Sequence, residues 1–225
     1  MCSRITFEVT EEELTSAYVA EIGEDCIAKP VKKDIRITDE AWVITADEPE
    51  RLQQMHFGLV PWDAPTCMMT RSTFNAKKEN LLKSPLWSKL MNSHKRCIII
   101  TSGFTEPQHI DADRTKHWMF KLKERTVFSM AGLWSEWRDP QTGSAYRSFA
   151  IITNVANEQV AEVHTKNRMP VALTKEQEKL WLSKSLPNIK DYLDVLTTIP
   201  DDEMNRDQTY KPGANDDDSQ LNLFE

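Results

Sequence analysis

Strand-like stretches follow one another in this chain without long helices between them, and that succession restricts the folds open to it. Residues 96–101, 117–122, 126–131 and 148–153 read as four strands, and residues 98–100 are three consecutive isoleucines that demand a buried position. A turn at residues 139–143 joins the last two strands as a hairpin. Upstream, residues 4–9 alternate polar and apolar, and residues 41–45 and 55–60 read as further strands inside a region, 30–65, that has no helical period. Gly103, after the isoleucine strand, permits a tight turn or bulge that leaves Glu106 just beyond a rigid strand end. The predicted helices are short. Thr10 and Glu13 make a capping box that opens an amphipathic helix through Leu14, Tyr18 and Ile22; residues 80–92 form a helix interrupted near Pro85; residues 157–163 form another; and Thr174 begins one that runs over 176–183. Pro170 starts an extended stretch, 171–173. Strands do not alternate one for one with helices as a doubly wound parallel sheet requires. The fold class is therefore α+β, with coiled, largely antiparallel, barrel-like sheets flanked by short helices.

The 225 residues, 40% of them apolar, suit one sizeable core, which places a single domain at residues 1–200. Residues 201–225 hold eight acids against Arg206 and Lys211, lack periodicity, and read as a flexible acidic tail in which residues 221–224 are apolar enough to dock on something. That tail carries most of the net charge of −7. Residues 66–125 carry twelve Lys or Arg against five acids, so the middle of the chain is basic and suits a polyanion, with a solvated charged surface as the alternative. No run of 18 apolar residues marks a membrane span and no secretory signal opens the chain, so no membrane partner and a cytoplasmic location are expected. Cys2, Cys26, Cys67 and Cys97 stand far apart, which reads as free thiols in a reducing compartment.

Several chemistries drop out. The five histidines show no spacing that suits zinc, and with six glycines the chain has neither a P-loop nor a G-x-G-x-x-G turn. A G-x-S-x-G elbow is also absent. No metal and no cofactor are expected.

What remains is led by Cys2. Removal of Met1 would make it an N-terminal 1,2-aminothiol, whose amine condenses with an aldehyde to an imine and whose thiol then closes a thiazolidine ring in an intramolecular step. An α-amine titrates near ~7.7 to 8.0 against about 10.4 for lysine, so far more of it is uncharged at neutral pH. Asn75 offers both a donor and an acceptor ahead of a helix start, where ordinary capping is the alternative. Glu106 beyond its strand is placed for general acid or base duty if partly desolvated, or else pairs with a surface lysine. His164 follows a short helix and can move protons near neutrality, or else interact with the helix dipole. Trp62, in Gly58-Leu59-Val60-Pro61-Trp62, can stack on an unpaired base or cap the core.

Met1-Cys2-Ser3-Arg4, Gly58 to Trp62, Phe74-Asn75-Ala76-Lys77, Arg96 through the isoleucines to Gly103-Phe104-Thr105-Glu106, Ala131-Gly132-Leu133-Trp134, and His164 followed by Arg168-Met169-Pro170 stand in one order over roughly residues 2–195. Together they resemble the SOS response-associated peptidase (SRAP) family, the abasic-site processing proteins. The resemblance implies a monomer that binds single-stranded DNA at an abasic site and links Cys2 to the ring-opened sugar as a thiazolidine. In it Asn75 and Glu106 orient and deprotonate the amine, and His164 shuttles protons. Arg4, Trp62, Arg71, Lys77, Thr153 and Arg168 form the implied nucleic-acid-binding set, and the family name implies that Met1 is removed by self-catalysis involving Glu106. Ser3 replaces the usual glycine, Lys77 an arginine and Pro107 a common tryptophan, and three residues rather than one separate His164 from Arg168. A thiol hydrolase of the N-terminal nucleophile type and a non-covalent nucleic-acid binder are the rival classes.

Overall fold

The computed structural model describes residues 2–18, 21–22, 31–68, 73–111 and 114–208. In chain order the elements are β1 (Arg4–Thr6), α1 (Glu11–Ala17), β2 (Glu21–Ile22), β3 (Asp34–Arg36), β4 (Glu40–Thr45), β5 (Arg51–Phe57), β6 (Asn75–Lys77), α2 (Pro85–Asn92), β7 (Arg96–Thr101), β8 (Gly103–His109), β9 (Thr115–Leu122), β10 (Phe128–Arg138), β11 (Ala145–Val155), α3 (Glu158–Ala161), β12 (Arg168–Pro170), β13 (Ala172–Leu173), α4 (Lys175–Leu182), α5 (Asp191–Val195) and β14 (Met204–Asp207).

Five of these strands close on themselves. β11 pairs antiparallel with β10, β10 with β7, β7 with β4 and β4 with β5, and β5 returns to β11 as a parallel neighbour with Phe149 opposite Phe57. The closed ring leaves none of the five without partners on both sides, which removes the exposed edges that an open sheet must protect. Phe57 and Phe149 stack with ring centroids 5.2 Å apart, and Ile98, Ile99 and Ile100 are fully buried, as their sequence demanded. A second sheet in the order β14, β9, β8, β1, β3 stands beside the barrel. The result is α+β, with short helices outside, in agreement with the sequence reading.

Gly132 allows β10 to run close to its neighbours: a Cβ there would lie 2.4 Å from Ile99 Cδ1 and 2.8 Å from the Ala150 carbonyl oxygen. Backbone cannot yield as a side-chain tip can, so Gly132→Ala is expected to destabilise the fold by about 1–3 kcal/mol, read as a lowered denaturant midpoint at unchanged slope.

The structure corrects several expectations. Gly103 is not the end of the isoleucine strand's path; after Ser102 the chain re-enters a strand, β8, in the second sheet. A Cβ on Gly103 would meet the Phe120 carbonyl at 2.8 Å and Thr6 Oγ1 at 2.9 Å, so the glycine serves a close crossing between sheets. Glu106 consequently lies in mid-strand, opposite Trp118, and not beyond a strand end. The α1 capping box is present, with Glu13 N donating to Thr10 Oγ1 at 3.1 Å, but the helix stops at Ala17. Glu21–Ile22 instead pairs in parallel with Arg51 and Leu52 of β5, a choice that spacing of apolar residues cannot make. Pro85 opens α2 rather than interrupting it, as a residue without an N–H does at no cost in a first turn.

Residues 201–207, assigned to the tail, form a 3-10 turn and β14, which pairs with β9 (Asp207 opposite Met119). Structured chain thus extends past the boundary at residue 200, and residues 209–225, with the acidic run and residues 221–224, lie outside the described residues. Cys2, Cys67 and Cys97 are free thiols, as expected, and Cys26 lies outside the described residues.

Candidate active site

β1 is the element that brings the amino end of the chain to the chemistry. It lies antiparallel to β8, the strand that carries Glu106, with Ile5 opposite Phe104 and Thr6 opposite Gly103. Three bonds pin it there: the Thr6 carbonyl accepts from Thr101 Oγ1 at 2.8 Å, from Ser102 Oγ at 3.1 Å and from Ser102 N at 2.8 Å. On its other edge Arg4 forms a bidentate pair with Asp34 of β3, at 2.6 and 2.5 Å.

Cys2 is 1% exposed, and its Sγ donates weakly to the Arg4 carbonyl at 3.6 Å. Its own carbonyl accepts from Asn75 Nδ2 at 2.7 Å. Asn75 heads β6, which lies parallel to β11 with Asn75 opposite Ile151; the amide therefore faces the site from a strand and does not cap a helix. Asn75 Oδ1 is buried without a hydrogen-bond partner among the described residues.

Glu106 is 0% exposed, and neither carboxylate oxygen has a hydrogen-bond partner among the described residues. Burial pushes its carboxyl up to about 7. His164 Nε2 stands 3.6 Å from Glu106 Oε2. Burial also pushes the His164 imidazole down to about 4, so near neutral pH this contact joins a carboxyl close to half ionisation to a neutral ring and is no strong ion pair. The Cys2 thiol is raised above its ordinary value, first by burial and then by the nearby Glu106 charge. It stays protonated until a base takes the proton.

His164 reaches this place by a turn. Its N–H donates to the Val160 carbonyl at 2.8 Å, closing α3, and its carbonyl accepts from Asn167 N at 2.9 Å. Asn167 has φ 50°, the left-handed region that asparagine tolerates better than most residues. The three residues between His164 and Arg168 are absorbed in this turn, and Arg168 returns to strand pairing opposite Val155.

Cys2, just ahead of β1, is thus brought together with Asn75 of β6, Glu106 of β8 and His164 of the turn after α3. Of the implied nucleic-acid-binding set, Lys77 is exposed at the end of β6, opposite Thr153. Trp62 is half-buried against the core with the Lys89 ammonium 4.1 Å above its ring. Arg4 is taken up by Asp34, Thr153 is fully buried, and Arg168 is paired with Glu79 at 3.0 Å on each oxygen. Arg71 lies outside the described residues. Sequence reading missed Asp34 and Glu79, because an ion pair between residues 30 or 89 positions apart leaves no local signal. Some cations of the basic middle segment are likewise engaged internally: Lys95 pairs with Asp47 at 2.9 Å and Lys121 with Glu8 at 3.2 Å. Among the described residues no group of three or more His, Cys, Asp or Glu is arranged to hold a metal ion, and no helix is long and apolar enough to cross a membrane.

Fold and site together define a class: a small mixed β-barrel in which Cys2 is buried near an amide, an acid and an imidazole from distant strands and turns. The chain belongs to the SOS response associated peptidase (SRAP) family, whose model matches residues 1–211. It is 34% identical over 154 residues to the abasic site processing protein YoqW of Bacillus subtilis, a match covering 68% of this chain and 66% of the relative. It is 25% identical over 175 residues to the abasic site processing protein HMCES of Xenopus tropicalis, covering 68% of this chain and 52% of that protein. The chain thus spans just under two thirds of the length of YoqW and about half that of HMCES. A crystal structure of a protein from Bacteroides thetaiotaomicron superposes with a TM-score of 0.80 at 22% identity, covering 91% of this chain and 90% of the other, a likeness of fold.

Proposed function

We propose that this protein binds single-stranded DNA containing an abasic site and joins it covalently through Cys2 once Met1 has been removed. The observation that carries this reading is the 2.7 Å bond from Asn75 to the Cys2 carbonyl, which holds the cysteine backbone beside a buried acid and imidazole. The names of the family relatives, abasic site processing proteins, support the substrate.

In this mechanism the Glu106 carboxylate takes a proton from the Cys2 ammonium, and the free amine attacks the aldehyde of the ring-opened sugar. Loss of water gives the imine. Cys2 Sγ then adds to the imine carbon as its proton passes to nitrogen, which closes the thiazolidine. His164, a neutral imidazole at physiological pH, accepts the hydroxyl proton as the sugar hemiacetal opens and returns it to the ring oxygen whose bond to carbon breaks. Asn75 restrains the nucleophile's backbone, so that ring closure remains intramolecular. Lys77, exposed two residues along β6 from Asn75, is suited to a phosphate contact as a point charge. The hydrolysis that frees Cys2 draws on the same buried carboxylate, acting on water at the Met1–Cys2 bond.

Intact-mass spectrometry of the protein before and after exposure to an abasic oligonucleotide tests this directly. The expected result is a species lacking Met1 that gains the mass of the oligonucleotide less one water. A protein with a free Cys2 amine that gains no mass, and gives no shifted band on a denaturing gel, overturns the proposal.

A further inference from the structure

Resting on the reading above, we propose that Glu79 and Arg168 form a strut that positions the Asn75 and His164 limbs of the site against each other. Arg168 is thereby a positioning residue and not a phosphate contact.

The strut is visible in the partners of one guanidinium. Arg168 Nη1 and Nη2 each donate to a Glu79 oxygen at 3.0 Å, and Nη2 donates also to the Thr153 carbonyl at 2.6 Å and to Thr153 Oγ1 at 3.3 Å. A bidentate fork of this kind fixes orientation as well as distance, which a lysine in the same place cannot do. Its two ends reach two different supports. Glu79 sits in the 3-10 turn Lys78–Asn80 that directly continues β6, so it moves with Asn75. Arg168 opens β12 immediately after the turn that carries His164. Thr153, between them on β11, pairs with both Lys77 and Pro170.

Exposure distinguishes a strut from a DNA contact. The Arg168 side chain is 10% exposed and Glu79 is 49% exposed, so the guanidinium is sealed behind the carboxylate that solvent and DNA would meet first. A phosphate approaching Arg168 would first face the negative charge of Glu79. That charge is well held, because the guanidinium beside Glu79 keeps its carboxyl below the usual range.

The test is Glu79→Gln, an isosteric change that loses the charge, with Glu79→Asp as the conservative companion. The rate of covalent capture at saturating abasic oligonucleotide is expected to fall by on the order of tenfold to a hundredfold in Glu79→Gln, as loss of sub-ångström positioning does, and to recover in part in Glu79→Asp. The oligonucleotide concentration giving half the maximal rate is expected to stay unchanged. A defect confined to that concentration, or tighter capture by Glu79→Gln, would mean that the pair meets DNA, and the proposal fails. A second readout needs no DNA: the His164 imidazole, followed by NMR against pH, is expected to titrate nearer its ordinary value of about 6.5 once the strut is cut and the ring gains solvent. An unchanged His164 titration in Glu79→Gln also overturns the strut. Failure of the wild-type protein to capture DNA at all bears on the covalent reading alone, since the NMR comparison still decides the strut.

Discussion

Cys2→Ala and Cys2→Ser are each expected to yield no stable covalent product with abasic single-stranded DNA, only a reversible imine. The two substitutions separate the amine from the thiol. Both keep the α-amine, so both retain the capacity to form an imine with the sugar aldehyde. Neither can close a thiazolidine, and a serine hydroxyl is a far poorer nucleophile than a thiol at neutral pH. Borohydride reduction after mixing is therefore expected to trap an adduct from either variant that a denaturing gel without reductant does not display. Because Cys2 is buried, alanine removes only a small thiol from the core, and the circular dichroism melt is expected to move little. A heat-stable adduct from Cys2→Ala of full wild-type yield would place the attachment on another residue.

The second large effect belongs to Glu106, and it runs in opposite directions for rate and stability. Without its general base, Glu106→Gln is expected to slow covalent capture by about 10² to 10⁴-fold. Wild-type capture is expected to rise with pH through about 7 as Glu106 ionises, and then through about 7.7 to 8.0 as the amine loses its proton. The variant keeps only the upper limb. For stability, the carboxyl value in the folded chain, about 7, lies above its ordinary 4.5 because burial disfavours the charge. The native state then holds the proton more tightly than the unfolded one. Stability from this group is full below 4.5 and is lost as pH rises through about 7. Converted at about 1.4 kcal/mol per pH unit, the loss is about 3 kcal/mol above that point.

Glu106→Gln, which cannot ionise, is therefore expected to melt higher than wild type at pH 8 and to converge with it near pH 4, measured by differential scanning calorimetry. His164 acts with the opposite sign. Its value is depressed from 6.5 to about 4, so its contribution is lost as pH falls through that window. A lower melting temperature for Glu106→Gln at pH 8 would show that the buried carboxylate is stabilised by contacts that compensate its desolvation. On the proposed function, the site gives up stability to keep a base tuned to neutral pH, a common exchange at catalytic positions.

Much of the frame was legible because it depends on local rules. The isoleucines of β7, the Asp139 to Gly143 turn and the helix starts at Thr10 and Thr174 each declare themselves within a few positions, and the structure has all of them: Gly143 N donates to the Asp139 carbonyl at 2.8 Å, and the Thr10 and Thr174 side chains accept from Glu13 N and Gln177 N. Gly103 shows where such rules stop. Its missing Cβ announced a special position, but a turn, a bulge and a crossing between sheets make the same demand on that residue, and only the carbonyl of Phe120, seventeen positions away, selects the crossing. The strand that follows carries Glu106, so a local ambiguity decided the placement of a catalytic candidate.

By itself the sequence determined which groups this protein has to work with: a thiol at the second residue, joined there by an amine once Met1 is removed, an amide read as preceding a helix, a lone acid after a buried strand and a histidine after a short helix. Tertiary structure decided which of them meet, and what each is free to do. Burial, a property of the whole barrel, raises Glu106 and depresses His164, and pairing across the chain gives Arg4 and Arg168 the carboxylates of Asp34 and Glu79. Hydrogen-bond partners and solvent exposure are set by neighbours distant along the chain. Residue type and spacing specify chemistry, while register and burial specify its strength and its direction.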